Sequence, residues 1–185
     1  MAFARKAGKT KAPLNEAGLY DYAVKALGRQ MRTEAELRRL MGMRAEPGDH
    51  GEAAVRAVLV RLKEHGYLDD KSFAETYARL RQQNEKLGER RVRNDLQQKG
   101  VRAEVIEEAV GARYGETNEE ALAREYLGRK RIPKPQSSKD TARVVRRLMT
   151  AGFATGTIYK ILRRWDVPEE ELVALENLEA ETPEE

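Results

Sequence analysis

Residues 92–101 (VRNDLQQKGV) and 144–153 (VVRRLMTAGF) share one spacing of apolar, basic and glycine residues. The two glycines, Gly100 and Gly152, are 52 residues apart, and a diverged third copy precedes residue 68. Repetition at a period of about 50 residues is typical of proteins built from stacked helical units. The pattern therefore favours an extended binding surface over a single catalytic pocket.

Apolar residues recur at helical spacing from Asn15 to Trp165, and strand alternation is nowhere sustained. We predict an all-α fold of nine helices in three tandem three-helix repeats that form an elongated or curved array. The predicted repeats are residues 15–68, 69–115 and 116–166, preceded by a basic flexible arm at 1–14 and followed by an acidic tail at 167–185. Units this small are near the lower limit for a self-sufficient core, so the repeats should depend on their neighbours.

Local signals predict several helix ends. The first helix should span 16–27, and Thr33 with Glu36 forms a capping-box pattern that starts the second. Thr117 and Glu120 repeat that pattern in the third copy, and residues 42–51 should be a loop. Met149 and Trp165 both continue apolar stripes and are predicted to lie in the core.

The composition indicates a helix-prone soluble chain, since 40% of its 185 residues are hydrophobic, 36% are charged and only 6% are aromatic. Cysteine is absent, and no apolar run approaches the roughly 20 residues that a membrane helix needs. We therefore expect a cytoplasmic protein that has no disulfides and does not cross a membrane.

The net charge of +4 conceals a strong asymmetry along the chain. All 35 lysines and arginines lie at or before Arg164, whereas nine of the 31 acids follow it, so residues 1–165 carry +13. Such an excess suits a polyanion, or a protein that is itself bound to one. The plain alternative is a solvated helical surface with an acidic tail that favours solubility.

Basic side chains line the outer faces of three predicted helices, opposite the apolar faces. We predict that these residues bind a partner or DNA, although each stripe is also compatible with a merely solvent-facing helix. The predicted binding residues are Arg90, Arg91, Arg93, Gln97, Lys99, Arg143, Arg146, Arg147, Lys160, Arg163 and Arg164.

The sequence offers little for catalysis. The two histidines, His50 and His65, lie in unlike contexts, and without cysteine a metal site is not expected. No phosphate-binding loop of the G-x-x-x-x-G-K-[ST] kind occurs. We predict no cofactor and no catalytic residue, hence a protein that is not an enzyme.

Four short motifs resemble one family in order and spacing. They are GYLDD at residues 66–70, FA at 73–74, RVR at 91–93 and LQQKGV at 96–101. Over about residues 18–165 the chain resembles the bacterial RecX regulatory proteins. It departs from the simplest pattern of that family in the long 42–51 segment, the basic arm and the acidic tail.

The resemblance implies a modulator of the RecA recombinase that lies in the groove of the RecA filament on single-stranded DNA. It implies restraint of filament growth, strand exchange, ATP hydrolysis and co-protease function, within homologous recombination, DNA repair and the SOS response. Direct DNA contact and a monomeric state are further expectations.

A second interpretation is a sequence-independent DNA-binding protein that acts without RecA. Two helices joined at Gly100 or Gly152 resemble a helix-turn-helix. Against base-specific binding, the following helices carry few Asn, Gln or Arg at their N-terminal ends. An enzyme of unrecognised type is a third alternative.

Overall fold

The computed structural model describes residues 12–170 and residue 172, and these residues form an all-helical structure. Residues 1–11 of the predicted basic arm, and residues 171 and 173–185 of the predicted acidic tail, lie outside the described residues. The helices are α1 (Glu16–Leu27), α2 (Glu34–Gly42), α3 (Asp49–Glu64), α4 (Asp70–Leu80), α5 (Glu89–Gln98), α6 (Ala103–Tyr114), α7 (Glu119–Arg129), α8 (Ser138–Thr150) and α9 (Thr155–Arg164). A short π-helical segment, Arg81–Glu85, directly follows α4.

In chain order the helices follow one another as three groups of three, which confirms the predicted all-α repeat fold. Packing divides the described residues into two compact units. The first contains the residues up to Phe73 together with Lys99–Val101, and the second contains Ala74–Gln98 and the residues from Arg102 onward. The repeat boundaries at 15–68, 69–115 and 116–166 stay predictions.

The first unit is built around α3, which packs on both α1 and α2. Its core is wholly aliphatic or methionine, because the apolar positions of the three helices recur at helical spacing. The core residues are Leu19, Ala23, Ala26, Leu37, Met41, Val55, Val58, Leu59, Leu62 and Leu68. The 42–51 segment is shorter as a loop than the sequence suggested, because α2 extends through Gly42 and α3 begins at Asp49.

Side-chain caps fix several helix starts. The capping box at Thr33 is confirmed: its hydroxyl accepts the Glu36 amide at 3.1 Å, and the Glu36 carboxylate accepts the Thr33 amide at 3.3 Å. The box predicted at Thr117 is wrong, because Asn118 occupies the N-cap position of α7 and accepts the Ala121 amide. Thr117 instead donates to the Arg113 carbonyl at 3.2 Å.

In the second unit α5 packs on α6, and α9 packs on both α7 and α8. The largest fully buried side chains there include Leu96, Leu148, Phe153, Ile158, Ile161 and Leu162. Met149 is 41% exposed and Trp165 is half-buried, so their predicted core positions are not realised. Both residues lie within two positions of a helix end, where the apolar stripe rotates away from the core.

A backbone contact between glycines joins α5 to the end of α8, and we call it the glycine junction. The Gly88 amide donates to the Ala151 carbonyl at 2.8 Å. A Cβ on Gly88 would lie 2.3 Å from the Gly152 carbonyl oxygen, and one on Gly152 would lie 2.2 Å from the Arg91 amide nitrogen. Gly152 also has a φ of 89°, in the left-handed region that favours glycine. Only glycine fits at these two positions.

The first unit contains a related contact, 52 residues earlier along the chain. The Lys99 carbonyl accepts the Thr33 hydroxyl at 2.6 Å, as the Ala151 carbonyl accepts the Gly88 amide. Gly100 has a φ of 76°, and a Cβ there would lie 2.4 Å from the Cβ of Ala35. The 52-residue repeat of the sequence therefore corresponds to a repeated backbone arrangement.

Candidate functional site

The predicted binding residues of α5 differ in how available they are. Arg90 is exposed and has no carboxylate partner among the residues that the structure describes, and Gln97 is exposed as well. Arg91 is bound to Asp95 at 2.9 Å. Arg93 is bound to Glu89 at 2.7 Å and to Glu107 at 2.6 Å. Arg90 is thus the most accessible cation of this helix.

The carboxylates around Arg93 hold it in its charged form. Hydrogen bonds to Glu107, and then to Glu89, raise the pKa of Arg93 above its ordinary value. The same contact lowers the pKa of Glu107, although that side chain is 72% exposed. A partner of Arg93 would therefore compete with two carboxylates already in place.

Lys99 lies in the first unit. Its ammonium is bound to Glu36 at 2.7 Å and lies 5.8 Å from the centre of the Phe73 ring. With its side chain only 29% exposed, Lys99 supports the start of α2. Its predicted role in binding stays a prediction.

The cations of α8 and α9 point outward, opposite the buried apolar faces of these helices. Arg143 is bound to Asp140 at 3.2 Å, and Arg146 donates to the Ala142 carbonyl at 3.3 Å. Arg147 is exposed and has no carboxylate partner within the described part of the chain. Two of the three arginines of the α8 stripe, Arg146 and Arg147, are therefore available to an anion without breaking an ion pair.

On α9 only Lys160 is exposed with no carboxylate partner in the described ranges. Arg163 is bound to Glu169 at 2.6 Å, and this contact lowers the pKa of Glu169. Arg164 is bound to Glu120 at 2.7 Å. Glu169, near the start of the predicted acidic tail, thus contacts the predicted binding residue Arg163. Leu172, three residues further along the chain, is buried.

Two clefts of the second unit bring predicted residues together. Arg90 and Arg91 line a cleft of about 320 Å³ with Met149 and Thr150, next to the glycine junction. Arg143 and Arg147 line a larger cleft of about 520 Å³ beside the loop between α7 and α8.

Sequence reasoning missed three cations of the larger cleft, Lys130, Arg131 and Lys134. They belong to the segment KRIPKP at residues 130–135, where the prolines predict a loop. Because a loop has no helical periodicity, the sequence did not indicate which way these side chains point. The signal available was the density of bases next to two prolines. It predicts a basic loop, but not that the loop folds against α8.

No cluster of three or more His, Asp or Glu side chains among the described residues has the arrangement needed to hold a metal ion. No helix in that part of the chain is both long enough and apolar enough to span a membrane.

Comparison with known proteins identifies the family. A family model for the second three-helix domain of RecX matches residues 69–110. A protein of Thermus thermophilus named regulatory protein RecX is 36% identical over 153 residues, covering 81% of this chain and 92% of that protein. This chain belongs to the RecX family.

Other RecX proteins agree with that assignment. The regulatory protein RecX of Mycolicibacterium vanbaalenii is 35% identical over 68% of each chain. That of Deinococcus radiodurans is 34% identical over 84% of this chain and 71% of its own length. All of these relatives are named regulatory proteins.

Solved structures of RecX have the same fold. The crystal structure of RecX from Lactobacillus salivarius superposes with a TM-score of 0.61 at 22% identity, covering 82% of this chain and 96% of that one. A second crystal structure, of a regulatory protein RecX, gives a TM-score of 0.65 at 24% identity, covering 80% and 71%. At these identities the likeness concerns the fold alone.

Proposed function

We propose that this protein binds the RecA filament on single-stranded DNA and modulates it, mainly by inhibiting the recombinase, ATPase and co-protease activities of RecA. The support is membership of a family whose members are named regulatory proteins. On this proposal the protein is a cytoplasmic monomer without an active site or a cofactor, and it acts in DNA repair, homologous recombination and the SOS response.

The single observation that carries the proposal is a repeated helical fold with accessible cations on three of its helices. Arg90 on α5, Arg146 on α8 and Lys160 on α9 are exposed and have no carboxylate partner among the described residues. A filament of RecA on DNA is a repetitive polyanionic object, and linked contacts to successive subunits add avidity without any single strong site. Exposed cations steer association and raise its rate, while protein contacts provide specificity.

The ion pairs indicate which of the predicted binding residues should contribute most to binding of the filament. An ion pair to a carboxylate would have to break before the partner could bind Arg93, Lys99 or Arg164. We therefore propose that Arg90, Arg146, Arg147 and Lys160 contribute more than the other predicted residues do.

The test is ATP hydrolysis by RecA on single-stranded DNA, with the purified chain at substoichiometric amounts. We expect slowed hydrolysis, and a roughly tenfold or higher half-inhibitory concentration when Arg90, Arg146 and Lys160 are replaced together by glutamate. The matched control replaces Arg39, Arg79 and Arg102 by glutamate, because these are also exposed and unpaired with acids in the described region. No inhibition by the unmodified chain at equimolar amounts would contradict the proposal.

Sequence-independent DNA binding without RecA is the second candidate, and the basic cleft beside α8 is the observation that favours it. A protein that acts only by coating DNA would inhibit with a steep salt dependence and would need no RecA contact. Inhibition that persists when DNA binding is saturated by an excess of free strand would separate the two functions.

A further inference from the structure

The cleft of about 520 Å³ beside α8 concentrates positive charge. Five of its lining residues are basic, and Asp140 is the only acid among them. The basic residues are Lys130, Arg131, Lys134, Arg143 and Arg147. A volume in this range suits a ligand of small-molecule size, or one stretch of a polymer.

Most of the cleft's cations have no carboxylate partner among its lining residues. Arg131 and Arg147 have no carboxylate partner in the described part of the chain. Arg143 is bound to Asp140 at 3.2 Å and Lys134 to Asp166 at 3.0 Å, and the two basic side chains are 57% and 53% exposed. Exposed pairs of this kind contribute little and exchange readily, so all of these cations are available to an incoming anion.

Arg131 is held in an unfavourable backbone conformation. Its φ is 51°, in the left-handed region, where its amide donates to the Gly128 carbonyl at 3.1 Å at the end of α7. Gly152 fills the matching position at the end of α8, with the equivalent bond to Met149 at 2.8 Å. A residue with a Cβ is disfavoured in this conformation, and such strain concentrates at functional sites. Lys86 and Asp166 share this conformation, and Arg131 differs from them in that it lines the basic cleft.

The lining indicates which anion would bind. Arginine guanidinium groups match phosphate oxygens in a two-pronged geometry. No aromatic side chain of the described residues lines the cleft, so these residues offer no platform on which bases could stack. Pro133 and Pro135 restrict the loop before binding, which lowers the ordering cost. Protein surfaces seldom present acids as densely as a strand presents phosphates.

We propose that this cleft binds the phosphodiester backbone of single-stranded nucleic acid, independently of base sequence. The inference deepens the proposed function, and it rests on that function for assigning the strand to the RecA filament. Arg131 and Arg147 are arginines that can reach the phosphates without first leaving a carboxylate.

The test measures binding to fluorescein-labelled oligothymidine by polarisation, in the absence of RecA. We compare the chain with the double variant Arg131→Gln, Arg147→Gln, and with the control Arg79→Gln, Arg102→Gln, which removes the same charge elsewhere. Affinity falls as salt rises, and the steepness of a plot of log affinity against log salt concentration reports the number of phosphate contacts. Loss of two contacts should make this slope shallower by about 1.4. Raising salt from about 50 to 200 mM should then weaken binding by the cleft variant roughly sevenfold less than it weakens binding by the unmodified chain. The control should keep the original slope.

Equal slopes for the cleft variant and the control would overturn the proposal, as would an absence of binding by the unmodified chain. A second variant, Arg131→Gly, relieves the left-handed strain and removes one cation. We expect it to unfold at a temperature no lower than the unmodified chain while its salt slope falls by about 0.7. An unchanged slope in this variant would remove Arg131 from the site.

The RecA assay separates this inference from the proposed function. If the cleft governs oligothymidine binding but the unmodified chain leaves RecA unaffected, the cleft stands and the regulatory proposal fails. If the cleft variant loses inhibition of RecA with unchanged oligothymidine binding, the cleft holds an acidic protein surface, and the nucleic-acid proposal is overturned.

Discussion

Replacement of Gly88 by alanine should damage the second unit far more than an alanine substitution ordinarily does. The added Cβ would lie 2.3 Å from the Gly152 carbonyl oxygen, 2.5 Å from its carbonyl carbon and 2.8 Å from the Phe153 amide nitrogen. All three atoms belong to the backbone, so a rotamer change cannot relieve the overlap. The two segments would have to separate by about 1 Å to reach ordinary contact.

Two costs combine in this variant. Overpacking in a filled interior costs about 1–3 kcal/mol. The bond from the Gly88 amide to the Ala151 carbonyl, 2.8 Å long, would be stretched or lost, at about 0.5–1.5 kcal/mol. The free energy of unfolding should therefore fall by about 2–4 kcal/mol, which for a chain of this size lowers Tm by roughly 5–15 °C.

The measurement is thermal unfolding followed by circular dichroism, with Gly128→Ala as the matched control. Gly128 lies within α7, and a Cβ there would meet nothing within 4 Å. That control should stabilise the chain by about 0.5–1 kcal/mol, since alanine is favoured over glycine in a helix. A Gly88→Ala variant whose Tm stays within about 2 °C of the unmodified chain would refute the close backbone packing.

Three further predictions concern side-chain contacts. Thr33→Val should lower the free energy of unfolding, measured in urea, by about 2–3 kcal/mol. The reason is that the Thr33 hydroxyl accepts the Glu36 amide at 3.1 Å and donates to the Lys99 carbonyl at 2.6 Å. Thr33→Ser keeps the hydroxyl and should retain most of the stability, so equal losses in the two variants would contradict this role. The hydrogen bond from Lys63 lowers the pKa of Glu34, so its stabilisation is present above pH 4.5 and disappears as the pH falls further. Glu34→Gln should thus lower Tm at pH 7 but not at about pH 2, and an equal loss at both would count against the ion pair. Glu107→Gln should free Arg93 from one of its two carboxylates and strengthen oligothymidine binding a few-fold at low salt, whereas unchanged binding would show that Arg93 has no part in it.

Helical periodicity predicted the fold because the apolar faces are regular. The first helix spans Glu16–Leu27 as expected, and the capping box at Thr33 is present. These features depend on residues within one or two turns of each other, so a sequence reading captures them. Positions near helix ends were less predictable: Met149 and Trp165 continue their stripes in sequence but not in the packing.

The candidate site was harder to predict than the fold, since it depends on contacts between distant residues. A run of exposed arginines in sequence does not reveal that Arg93 meets Glu107, or that Arg164 meets Glu120. The basic residues of the KRIPKP segment were visible, but their approach to Arg147 depends on how the loop folds. The left-handed conformation of Arg131 has no sequence signal, because glycine is the residue expected there.

The glycine junction makes few chemical demands. The junction and the related contact of the first unit both need a main-chain carbonyl, a glycine after it, and a donor at the start of an earlier helix. The donor is the Gly88 amide in the glycine junction and the Thr33 hydroxyl in the first unit. Since almost every part is backbone, duplicated modules joined in this way are free to diverge elsewhere without losing the connection. Related proteins could therefore change the charged residues on the outer faces of their helices, and with them their binding partners, while the fold is retained.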